Sequence, residues 1–182
     1  VTDLNQCTTE QTVVITEPDV FVGGQLNASQ TICYNTTPNS INTIVSPTGG
    51  SPGYTYDWFL DTGSGLSPFS NGNSDSFTPS ALTVTTDYII EYSDFYQCNI
   101  FTESVTITVL PQIDPGTIIS NQILCYDSLS SDLLADVPSS GGNGSFNYQW
   151  YSNNTGSWSS IQGSTSTTYS PGYMNTSTSY TL

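Results

Sequence analysis

The chain has 182 residues, with 15 Asp and Glu and no Lys, Arg or His, for a formal charge of −15. A surface of that sign repels phosphate and anionic lipid, which excludes nucleic acid and membrane surfaces as partners, and no stretch approaches the roughly 18 consecutive apolar residues of a spanning helix. Serine and cysteine hydrolases need a His or Lys base, and acyl and phosphoryl clamps use Arg or Lys, so a protein without enzymatic activity is expected.

Residues 1–17 carry Cys7 and then the strand-like run Thr12-Val13-Val14-Ile15-Thr16, closed by Pro18. A first strand is expected near Gln25–Cys33. After the turn signal Thr37-Pro38-Asn39-Ser40, a second is expected over Ile41–Val45. Gly49-Gly50-Ser51-Pro52-Gly53 then feeds a strand over Tyr54–Leu60. Tyr54, Tyr56 and Trp58 lie two apart and so share one face. Residues 61–75 read as a long polar loop with room for a short edge strand. Ser76-Phe77-Thr78, Tyr88–Tyr92 and Thr102–Leu110 complete about seven short antiparallel strands. No window carries helical periodicity. The 3 Trp, 12 Tyr and 7 Phe, set in β-branched runs, argue against disorder and for an extracellular all-β protein.

The pattern then returns. Gly24, Gln30, Cys33, Tyr34, Gly49, Gly50, Tyr56, Trp58, Pro79, Thr86 and Tyr88 are matched by Gly116, Gln122, Cys125, Tyr126, Gly141, Gly142, Tyr148, Trp150, Pro171, Thr178 and Tyr180, each 92 residues on. Residues 1–17 therefore read as the end of one repeat, 18–110 as a complete repeat and 111–182 as a further repeat short of its last strand or strands. Opening and closing inside strand-like runs, the chain reads as a window from a longer protein. About 90 residues suffice for one β-sandwich core. Trp58, Tyr56, Tyr88, Trp150, Tyr148 and Tyr180 are the expected core aromatics, with Tyr88 placed as a tyrosine corner and Met174 and Tyr180 repeating its spacing.

Four cysteines suit an oxidising compartment and allow three pairings. Cys33 with Cys98 is the favoured disulfide, with Cys7 and Cys125 paired outside the window; Cys7 with Cys33, and free thiols, are the rivals. No zinc spacing is present. Asp57 and Asp61 flank Trp58, but Gln149 and Asn153 replace them in the next repeat, so paired-carboxylate catalysis is not built into the repeat. Asp19 and the loop Asp61–Gly65 are candidate calcium ligands, with solvated surface acids the favoured reading. No other cofactor is expected. Trp158, aligned with Leu66, is a candidate glycan contact, a local core filler being the favoured alternative. Sequons stand at Asn27, Asn35, Asn143, Asn153 and Asn175.

Gly116, Gln122, Cys125, Gly141, Gly142, Gly144, Tyr148, Gln149, Trp150, Ile161, Gly163, Tyr169, Pro171, Gly172 and Tyr180 form a wider signature. In these residues the chain resembles the tandem immunoglobulin-like repeats of giant surface proteins in Bacteroidota. The first copy departs from the pattern at Asp57 and Ser80, and both copies lack the Lys or Arg common in such repeats. The resemblance implies immunoglobulin-like sandwiches arranged as a rod, in a type IX-secreted adhesin of the kind that includes the gliding-motility adhesins. It further implies the bacterial outer surface as location. The partners implied are neighbouring repeats, other copies in a surface filament, and surfaces or glycans met by other parts of the protein. Asp127-Ser128-Leu129 is similar to the short O-glycosylation signal of that phylum, making Ser128 a candidate modification site. The expected role is a structural stalk, with a glycan-binding module and a self-assembling fibre subunit as alternatives.

Overall fold

A computed structural model describes residues 1–69, 73–102, 104–119 and 121–182. Residues 70–72 of the polar loop expected at 61–75, residue 103 of the strand expected at 102–110, and residue 120 lie outside the described residues. Among the described residues all regular structure is β-strand and no helix occurs. The chain divides into two compact units. One comprises Val1–Gln30, Pro38–Ser80 and Thr86–Ile107; the other comprises Thr31–Thr37, Ala81–Thr85 and Thr108–Leu182.

The strand expected near Gln25–Cys33 is split into β1 (Gln25–Leu26) and β2 (Gln30–Ile32), which join different sheets. The switch has a local cause. Asn27 breaks the ladder by donating its side-chain amide to Ser40 O and accepting from Asn42 N, while Ser29 Oγ accepts from Thr106 N. β3 (Ile41–Val45) has the expected bounds. β4 (Thr55–Asp61) carries Trp58, and β5 (Ser67–Phe69) is the edge strand beside it, a position that tolerates Pro68. β6 (Ser76–Phe77) and β7 (Thr86–Ser93) follow. The last expected strand is also two pieces. β8 (Asn99–Phe101) pairs with the end of β7, and β9 (Val105–Val109) pairs with its beginning.

These strands make a two-layer sandwich. One sheet runs β1-β3-β6 and the other β2-β9-β7-β4-β5, with β8 also on β7. The layers meet where β7 turns alternate residues inward, so that Tyr88, Ile90 and Tyr92 are buried together with Ile41 and Trp58. Tyr92 Oη shares a 2.9 Å hydrogen bond with Thr43 Oγ1 of the opposite sheet, and the Trp58 and Phe77 rings lie 6.1 Å apart across the layers. β9 closes the core with Val105 and Ile107, 4% and 0% exposed. Tyr56 is only part-buried and packs edge-on against Tyr92.

The second unit contains β10 (Thr117–Ile118), β11 (Ser128–Leu129), β12 (Leu133–Val137), β13 (Tyr151–Asn153), β14 (Ser159–Ser160), β15 (Thr168–Tyr169), β16 (Tyr173–Met174) and β17 (Ser179–Thr181). They form sheets β10-β12-β15, β11-β16 and β14-β13-β17. Trp150 is fully buried, whereas Tyr148 and Tyr180 are part-buried.

The strand expected at Thr12–Thr16 is not formed. Val13 and Ile15 are 78% and 94% exposed, because among the described residues no neighbouring backbone completes a ladder with them. Before them, residues 1–9 make a tight hairpin in which Thr2 bridges Thr8 and the Val1 ammonium donates to Thr9 O at 2.7 Å.

Candidate functional site

Asp94 organises one end of the first sandwich. It is almost fully buried, immediately after β7, and its carboxylate accepts three backbone hydrogen bonds. Ser51 N donates to Oδ2 at 3.0 Å, and Tyr96 N and Cys98 N each donate to Oδ1 at 2.9 Å. The main chain closes the same turn, with Asp94 N donating to Cys98 O and Gln97, at φ +66°, donating to Asp94 O. These donors, Ser51 N first, hold the Asp94 carboxyl below the usual carboxylate range, against the opposing effect of burial. Through Ser51 the carboxylate is tied to the Gly49-Gly50 turn. There Gly50 N donates to Asp19 O, and a Cβ on Gly49 would collide with Val20 O. Tyr54 Oη donates to Gly49 O and its ring stacks on Phe21.

The same turn is present at the start of the chain. Asp3 Oδ1 accepts from Asn5 N and Cys7 N, Asp3 N donates to Cys7 O, and Gln6 has φ +68°. The sequence had a signal for this. Asp3-Leu4-Asn5-Gln6-Cys7 and Asp94-Phe95-Tyr96-Gln97-Cys98 share Asp-x-x-Gln-Cys, and reading the cysteines as disulfide partners hid it.

All four cysteines are free and exposed, and the expected Cys33–Cys98 disulfide is absent. The strand register explains why. Cys98 is held by Asp94 just past the C-terminal end of β7. Cys33 follows Ile32, whose carbonyl takes the Leu110 amide beyond the stretch where β9 pairs with Thr86–Tyr88. Each cysteine is thus fixed by its own local frame, Cys98 by the Asp94 carboxylate and Cys33 by Thr36, whose Oγ1 donates to the Cys33 carbonyl.

Hydrogen bonds, like the sequence, recur 92 residues apart. Trp58 Nε1 donates to Ser74 O at 2.8 Å and Trp150 Nε1 to Ser166 O at 2.9 Å. Gln30 and Gln122 each clamp a backbone segment with both ends of the amide, at Asn39 and Ser131. Asn35 and Asp127, both at φ 55°, donate their amides to Leu82 O and Met174 O. The ring series Trp58–Phe77–Tyr88 returns as Trp150–Tyr169–Tyr180. In the second series the tyrosine hydroxyl turns to Met174 Sδ at 3.6 Å, a side chain rather than the nearby backbone of the expected corner.

One place departs from this correspondence. In the first sandwich β9 lies between β2 and β7. Ninety-two residues on, Gln122–Leu124 and β17 stand where β2 and the start of β7 stood, and between them is an open groove of about 610 Å³. Ile118, Leu124, Leu133, Met174 and Tyr180 give it an apolar wall. Leu133 is only part-buried, although Ile41 at the matching place is fully buried. Ser130 also lines the groove, and its buried Oγ has no hydrogen-bond partner among the described residues.

A family model described as Domain of unknown function (DUF8696) matches the chain twice, over residues 22–111 and 114–182. The chain belongs to this family. The two DUF8696 matches begin 92 residues apart. No curated protein and no solved structure matches the chain.

The remaining candidate residues sit on the DUF8696 surface. Trp158, just before β14, is 50% exposed and stacks on no other ring among the described residues, so it is not the core filler favoured from sequence. Ser128 opens β11, pairs with Met174 and is part-buried. Asp61 Oδ1 accepts from Gly63 N and Gly65 N, so its carboxylate shapes its own loop.

Proposed function

We propose that this chain is a non-enzymatic structural segment of a secreted cell-surface adhesin or surface filament, and that it works as a stalk of tandem immunoglobulin-like repeats. The observation that carries this reading is the 92-residue recurrence of whole hydrogen-bond frames around Trp58 and Trp150, which a spacer of serial units requires and a single catalytic or sensing domain does not. The uniform negative charge limits clumping between neighbouring stalks within a Debye length of about 8 Å in physiological salt. On the resemblance given above, the setting is the outer surface of a Bacteroidota cell, reached by type IX secretion, in adhesion or gliding. Single-molecule pulling on the chain tests the reading. Separate unfolding events for the two units support a stalk, whereas one cooperative event for the entire chain would oppose it.

A glycan-binding module is the second reading, favoured by the half-exposed indole of Trp158. Binding on a glycan array that disappears with Trp158→Ala would move the assignment to that class.

A further inference from the structure

We propose that the outward face of the β13–β14 hairpin is a binding site for uncharged saccharide, with Trp158 as the ring on which a sugar lies and Asn153 as the group that binds its rim. The inference rests on the second of the two readings above, the glycan-binding module, and gives that module its site and its ligand class. The face follows from the register. Tyr151 pairs with Ser160 and Ser152 with Ser159, so the next step sets Asn153 across from Trp158. Trp150 is sealed in the core, and alternation turns Tyr151 and Asn153, with Ser160 and Trp158 opposite them, away from it.

The first sandwich isolates what is particular to this face. Leu66 stands at the place of Trp158 and is 49% exposed, against 50% for Trp158, so the position is open in a sandwich that has all its strands. What differs is the chemistry. Asp57, Asp61 and Asp87 of the first unit give way to Gln149, Asn153 and Ser179, together with the change of Leu66 to Trp158. The last acid of the chain is Asp136, and residues 137–182 hold no charged side chain. Asn153 keeps the loop-shaping part of Asp61. Its Oδ1 accepts from Gly156 N at 2.8 Å, as Asp61 Oδ1 accepts from Gly63 N and Gly65 N. It adds what a carboxylate lacks, an Nδ2 donor, from which no described residue accepts. A pyranose has an apolar C–H face and a rim of hydroxyls. A half-exposed indole beside an amide and a hydroxyl is complementary to both. A protein or lipid partner is held instead by a contiguous apolar patch, which an indole bordered by Asn153 and Ser160 does not form. Sign then selects the class of sugar. Recognition of uronate, sulfate or phosphate groups uses a cation, and the chain has no Lys, Arg or His. A neutral sugar meets neither repulsion nor an unpaired charge at this face.

Titration of the 182-residue chain with neutral cello-, xylo-, manno- and chito-oligosaccharides, beside oligogalacturonate and sulfated chondroitin fragments, tests the proposal by calorimetry and by acrylamide quenching of tryptophan emission. At least one neutral sugar is expected to bind saturably, to shift the exposed emission component to the blue and to shield it from acrylamide, while the anionic sugars do none of these. Trp158→Ala is expected to abolish the calorimetric signal. Asn153→Asp keeps the acceptor for Gly156 N, and so the loop, and is expected to bind about tenfold more weakly for the loss of one hydrogen bond to the ligand. Neither side chain is in the core, and unchanged emission from Trp58 and Trp150 checks the fold of each variant. Neutral binding that survives Trp158→Ala, or is untouched by Asn153→Asp, places the sugar elsewhere, and binding confined to anionic sugars gives the opposite class. Each of these overturns the proposal and leaves the glycan-binding reading standing. Binding of no saccharide of either kind ends that reading and the proposal with it. The stalk reading is decided by the pulling experiment and by none of these outcomes.

Discussion

Gly49 and Gly63 both have positive φ, at +73° and +96°, yet they differ in what surrounds them. A methyl group at Gly63 meets no atom within 4 Å, so Gly63→Ala carries only the left-handed strain of about 1–2 kcal/mol. At Gly49 the same methyl meets the Val20 carbonyl, and the turn that Ser51 and Asp94 brace must open. Thermal melts of the two variants should rank accordingly, with Gly49→Ala falling further, at about 4–8 °C per kcal/mol for a domain of this size. Asp94 has its own signature in pH. Its carboxyl titrates below the ordinary value of 3.8 when folded, so the stability it contributes is complete above that value and disappears as pH falls through the lowered one. Acid titration of the melting temperature should therefore show a steep loss at the acidic end in the wild type. Asp94→Asn should start less stable at neutral pH and lack that part of the loss. Equal acid limbs in the two proteins would remove Asp94 from this role.

At the scale of the element, β4 and β7 set acid against acid. Asp57 faces Glu91 and Asp61 faces Asp87 in the ladder, a like-charge arrangement that works against the pairing. Asp57 is exposed and free to change. Asp57→Lys should stabilise the first unit by about 0.2–1 kcal/mol, with a gain in melting temperature that shrinks as salt is added. The strands themselves were mostly legible. β3 has its expected bounds because Ile41 follows a strong turn signal, and β4, β6 and β7 fall within a residue or two of theirs. The split of β1 from β2, and of β8 from β9, was not legible, because the sheet that a strand end joins depends on partners distant in sequence, such as Ser29 for Thr106. The cysteine pairing failed for a related reason: spacing along the chain carries no information on the local frame that holds each cysteine. The groove was announced only as a copy short of its last strand, while its apolar wall needed the fold to bring residues 118–133 to residues 171–180.

For the whole molecule, the absence of Lys and Arg has a direct outcome. Trypsin has no bond to cleave even in reduced, unfolded protein, so a gel should show one intact band, while a glutamate-directed protease should fragment the same sample. The three tryptophans also divide the molecule optically. Trp58 and Trp150 are sealed, each with its indole nitrogen on a serine carbonyl, and each sits in a different unit. Trp158 stands half in solvent. Acrylamide should therefore extinguish one emission component rapidly and leave a bluer, shielded pair. With Trp158 replaced by Phe, the residual fluorescence becomes a dedicated gauge of the two interiors, and the lost component a gauge of whatever touches the exterior.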